Sequence, residues 1–168
     1  IYMRRMAQDK GWDVTITDVT EKFTTIGIWG PNARENLKKV VAAPEELDIE
    51  NFPFAAIRQI CIAGKTVTAF RISYVGEQGW ELHMRYEDGL AVWDALRGIG
   101  VMAVGVETYA NSRRLEKSLR LQNADLHTKY NLIEAALARP KVKEADFRGK
   151  AKHVEYRERD HQPAMLCT

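Results

Sequence analysis

A chain of 168 residues, 45% of them hydrophobic, holds one domain or one domain plus a piece of another, and can bury a core. Lys and Arg number 25 against 23 Asp and Glu, so the formal net charge of +2 is too small and too mixed to argue for a nucleic-acid or anionic-membrane partner. No run approaches the roughly 18 apolar residues of a membrane span, and the opening Ile1-Tyr2-Met3-Arg4-Arg5 lacks both a signal-peptide hydrophobic region and an initiator methionine, so we expect a segment of something longer.

Residues Tyr2 to Asp9 read as the end of a helix stopped by Gly11. Val14, Ile16 and Val19 alternate loosely with threonines and predict a strand, and Phe23 to Trp29 predicts a second. Gly30-Pro31 breaks it, and Pro31 suits the first turn of a helix over Asn32 to Val41, where its missing N–H needs no partner. Pro44 and the acidic stretch Glu45 to Glu50 separate this unit from the next. Ala56 to Ile62 predicts a strand, with Gly64-Lys65 as a turn. Val67 to Tyr74 and Trp80 to Tyr86 predict two more, joined through Val75-Gly76-Glu77-Gln78-Gly79 as an antiparallel hairpin. Asp88 to Gly98 has Leu90, Trp93 and Leu96 at helical spacing, and Val101 to Val104 reads as a short buried strand. Glu107 to Arg120 predicts a charged helix. From Pro140 the tail is basic and irregular until Ala164-Met165-Leu166, which reads as the start of a strand. Hairpins outnumber crossovers, so the fold class is α+β, antiparallel sheets with packed helices.

Several chemistries find no support. Gly98-Ile99-Gly100-Val101-Met102-Ala103 fits a loose dinucleotide pattern, but a helix precedes it and a strand follows, the reverse of what that pattern needs. His83, His127, His153 and His161 show no metal-ligand spacing, and no metal site is expected. Cys61 and Cys167 lie far apart, outside any CxxC, and read as small core residues in a reducing compartment.

The informative stretch runs from Arg71 to His83. On its second strand Trp80, Leu82, Met84 and Tyr86 face one way, and Glu81, His83 and Arg85 the other. One reading is an ordinary half-solvated strand. The rival is a ligand site. A tight hairpin can bring Tyr74 and Glu81 to the same end of the sheet, where an aromatic face packs against a flat ring and a carboxylate accepts two parallel N–H donors, such as those along a pterin edge.

Tyr74-Val-Gly-Glu-Gln-Gly-Trp-Glu81 resembles the signature of the glycine-cleavage T-protein (aminomethyltransferase) family. Ile28-Trp-Gly-Pro-Asn-Ala-Arg34 is similar to a Gly-Pro turn of that family, Glu107 to Lys117 to a charged segment of its amine dehydrogenase branch, Asn131 to Ala135 to its P-x-E-A-G stretch, and Asp146 to Lys150 to the approach to its last domain. The resemblance implies a tetrahydrofolate-binding domain with ferredoxin-like elements over residues 1–140, then a linker and the start of a C-terminal barrel over 141–168. It implies folate-contacting roles for Tyr74, Glu81 and His83, with no catalytic residue in this segment, because the family's aspartate falls upstream of residue 1. Ala110 stands where the glycine-cleavage enzyme itself has an arginine, which favours the branch close to dimethylglycine and sarcosine dehydrogenases and oxidases. The implied partners are then an N-methyl amine substrate, folate, and an FAD domain upstream in the same chain. The setting is cytoplasmic, with the mitochondrial matrix as the alternative. A stand-alone aminomethyltransferase or demethylase, and a non-catalytic folate-binding regulator, are the other functions weighed.

Overall fold

A computed structural model describes residues 1–159. They form two compact units, one of residues 1–73 with 77–103, the other of 74–76 with the described residues after 103.

The first unit is built on a four-stranded antiparallel sheet in the order β1-β4-β3-β2. Its strands are β1 (Phe23–Trp29), β2 (Ile57–Ile62), β3 (Lys65–Phe70) and β4 (Gly79–Arg85). The helices of this unit are α1 (Tyr2–Asp9), α2 (Ala33–Lys38) and α3 (Gly89–Gly98). Antiparallel sheet and helix together make the α+β class. Alternation along β4 decides which face is core: Trp80, Leu82 and Met84 are buried, while Glu81 and His83 are half-buried. Ile28, Val67, Ala69, Leu37, Phe52, Val92 and Leu96 belong to the same buried cluster. Each large apolar side chain so buried contributes roughly 1.5–3 kcal/mol. The β2–β3 turn puts Ala63 and Gly64 at φ 50° and 71°, the two positive values a tight two-residue hairpin needs.

Several expectations change. β3 ends at Phe70 instead of Tyr74, because Ile72 N–H turns back to the Phe70 carbonyl at 2.9 Å and the Ile72 carbonyl accepts from Trp29 Nε1 at 3.1 Å. Residues 13–19 are not a strand: no neighbouring ladder takes them, and the Asp18 carboxylate accepts from Thr20 N–H and Oγ1, opening a short 3₁₀ turn. Residues 101–104 are likewise unpaired. Helix α3 buries Gly89, Val92 and Leu96, leaving Leu90 69% and Trp93 41% exposed. The cause is steric: α3 sits on β1 at Gly89, where a Cβ would lie 2.6 Å from Thr24 Cγ2. Tyr86 falls beyond β4 and is exposed. Cys61 is exposed, not core, since Ile60 and Ile62 take the inward positions of β2.

In the second unit the predicted long helix is a π-helical turn, Thr108–Arg113, running into α4 (Arg114–Glu116). Arg114 is buried, and its Nε bonds the Ala110 carbonyl, a side-chain intrusion into the helical ladder that accompanies such bulges. Its Nη1 donates to Leu119 O at 2.9 Å and to the Asp125 carboxylate, which also accepts from Leu121 N–H at 2.8 Å. Asp125 is held below the ordinary carboxylate value, first by that backbone N–H and then by Arg114. Asn131 and Glu134 cap one another's backbone: Asn131 Oδ1 accepts from Ile133 and Glu134 N–H, and Glu134 Oε2 from Asn131 N–H. The tail is not wholly irregular, because α5 (Lys150–Glu158) starts after Gly149 at φ 85°. Ala164 to Leu166 lies outside the described residues.

Candidate functional site

The sheet face opposite the core gathers polar and aromatic side chains. The register sets Glu81 between Gly27 of β1 and Phe70 of β3, and His83 between Thr25 and Thr68. Strand alternation therefore gathers Thr25, Phe70, Glu81 and His83 on one side. Trp29 joins them: its ring folds back over Gly27, where a Cβ would sit 1.9 Å from the indole. Gly27, the residue paired with Glu81, thus leaves open the space that the indole fills.

The contacts are specific. The His83 ring lies 4.4 Å from the Phe70 ring, tilted by 39°. His83 Nδ1 shares a 2.9 Å hydrogen bond with the Thr25 hydroxyl. His83 Nε2 is 3.3 Å from Glu81 Oε2 but out of hydrogen-bond geometry, and it is buried without another partner. The Glu81 side chain is 26% exposed. A carboxylate with free lone pairs is thereby flanked by three flat rings, Trp29, Phe70 and His83. That arrangement fits a flat heteroaromatic ligand presenting paired N–H donors. It adds Thr25, Trp29 and Phe70 to the sequence-derived set. The outward parity of Glu81 signals one strand; only the cross-strand register reveals the others.

Tyr74 is placed differently. It belongs to the second unit, where its hydroxyl donates to the Arg120 carbonyl at 2.7 Å and its ring lies 5.7 Å from that of Tyr109. On β3, the residue that the sheet sets across from Glu81 is Phe70. Just beyond β4, Asp88 is buried between Lys65 Nζ at 3.0 Å and Arg85 Nε at 3.1 Å. Hydrogen bonds from Lys65 and then Arg85 hold its carboxyl below the ordinary value. Among the described residues no cluster of His, Cys, Asp and Glu could hold a metal ion, and no helix is long and apolar enough to cross a membrane.

Residues 2–142 match the family model described as GCVT N-terminal domain. Human mitochondrial dimethylglycine dehydrogenase is 35% identical over 163 residues, 94% of this chain and 18% of that protein. Mouse mitochondrial sarcosine dehydrogenase is 33% identical over 141 residues, 82% of this chain and 15% of that protein. An aminomethyltransferase of Listeria welshimeri is 31% identical over 156 residues, 91% of this chain and 42% of that protein. The chain therefore spans a minor part of each relative's length.

Proposed function

Because the chain belongs to the GCVT N-terminal domain family, we propose that it is the tetrahydrofolate-binding part of a one-carbon transferase, serving an amine dehydrogenase of the dimethylglycine or sarcosine type. The observation that carries this reading is the outward face of β4, where Glu81 stands among Trp29, Phe70 and His83. Tetrahydrofolate, when bound, supplies the nitrogen that accepts the carbon. On this reading Glu81 orients the pterin through two coplanar acceptors, the three rings exclude water from its faces, and Thr25 fixes the plane of His83 through Nδ1. Tyr74 is proposed as a folate contact on its motif position alone. No residue of this chain is assigned the proton transfer.

The dehydrogenase branch is preferred on Ala110, which replaces an arginine of the glycine-cleavage enzyme. The dehydrogenase relatives' names also carry the word mitochondrial, which favours the matrix alternative. The FAD domain, and a folate region ending near residue 140, belong to the same proposal.

Titrating the chain with a stable reduced folate, followed by calorimetry, tests the reading. Saturable binding is expected, and Glu81→Gln is expected to weaken it by about 1.5–3 kcal/mol, tenfold or more, since one charged acceptor is lost. Equal affinity in the two proteins removes Glu81 from the site.

A further inference from the structure

The core side of β4, opposite Glu81, holds a second feature. Arg34 of α2 is 8% exposed and its guanidinium carbon lies 5.2 Å from the centroid of the Trp80 ring. Both of its Nη atoms are buried without a hydrogen-bond acceptor, and so is the indole Nε1 of Trp80. Arg71, half-buried, places its own guanidinium 5.9 Å from the same ring and donates from Nη1 to the Phe52 carbonyl at 2.5 Å. No carboxylate pairs with Arg34 or Arg71 among the described residues.

A buried guanidinium with a second, half-buried one against the same ring is an expensive arrangement. An unpaired buried charge destabilises a fold, and an orphaned donor costs the desolvation of its N–H. The positive charge on Arg34 also pushes the Arg71 guanidinium down, after burial itself. A bridging water could satisfy a donor, but it would leave the charge in place; an anion answers both. The guanidinium fork matches two coplanar oxygens, and a planar monoanion costs less to dehydrate than a phosphate dianion. We propose that Arg34, Arg71 and the indole N–H of Trp80 form a binding site for a small organic carboxylate. Arg71 is the member of the cluster in contact with solvent. The site is independent of the folate reading, since it stands on the other face of the strand.

Thermal unfolding at constant ionic strength, with chloride replaced stepwise by acetate, tests this. The unsubstituted chain is expected to gain stability saturably with acetate. Arg34→Met is expected to show no acetate-dependent gain and to unfold in chloride no lower than the unsubstituted chain, because it deletes a charge that nothing in the chain neutralises. Arg34→Lys keeps the charge but loses the fork, so the gain should need about tenfold more acetate. The proposal is overturned if acetate acts no differently from chloride on the unsubstituted chain, as it would if an acidic side chain elsewhere in the protein filled the site. It is equally overturned if Arg34→Met keeps the same acetate response.

Discussion

At the scale of single residues, backbone conformation is informative where side chains are not. Ala136 adopts φ 54°, and it stands where the family stretch P-x-E-A-G has glycine. A left-handed conformation costs a non-glycine residue about 1–2 kcal/mol, while glycine returns part of that as chain entropy. Ala136→Gly is therefore expected to stabilise the chain by about 0.5–1 kcal/mol, read from denaturant midpoints. An unchanged or lower midpoint would show that the local bonding around Asn131 and Glu134, not the backbone angle, sets the stability there. The outward parity of Glu81 and His83 was legible in the sequence, because polar and apolar side chains alternate strictly from Trp80 to Met84. Trp29, Phe70 and Thr25 were not, because each meets Glu81 or His83 only through cross-strand register, and Trp29 only because Gly27 lacks a side chain. Cys61 shows the converse: burial habit argues for the core, but two isoleucine neighbours claim the inward positions.

At the scale of elements, β1 and the central strand β4 hold the first unit together, and Gly79 is where they meet most closely. A Cβ there would fall 2.1 Å from the Ile28 carbonyl, a backbone atom with no freedom to step aside. Gly79→Ala is thus expected to cost about 1–3 kcal/mol, as overpacking does, with hydrogen exchange rising at the Trp29 end of the β1–β4 ladder. Exchange rising elsewhere and not at that end would contradict the assignment. Local sequence pattern located α1, β1, β2 and β4 to within a residue at each end. It failed where contacts outside the apolar pattern decide: β3 is cut short by the turn of Ile72 back onto Phe70 and the bond from Trp29, α3 is rotated by the Gly89–Thr24 contact, and the predicted long helix breaks up where Arg114 bonds the carbonyl of Ala110 within its own turn.

At the scale of the whole molecule, acid sensitivity is common to both units. Asp88 in the first and Asp125 in the second are both held below their ordinary value near 3.8 by hydrogen bonds to the charged form. A depressed carboxyl contributes stability that is fully present above its unfolded value and is lost as pH falls through the folded one. Thermal stability should accordingly be flat from about pH 7 to pH 5 and fall below about pH 4. In Asp88→Asn the deficit relative to the unsubstituted chain should be present at neutral pH and narrow as pH drops below the ordinary carboxylate range; a deficit that does not change with pH would mean that Asp88 contributes by packing alone. The family was legible from the Tyr74 to Glu81 motif and is shown by the match of residues 2–142, whereas the division of the chain after residue 103 carries no mark in composition or punctuation that separates it from an ordinary loop. A structure of the chain with a stable reduced folate bound tests most directly whether the outward face of β4 binds a folate ring. The pterin edge is expected on the Glu81 carboxylate, with the rings of Trp29, Phe70 and His83 against it. A folate seated away from that face, with Glu81 free, would contradict it.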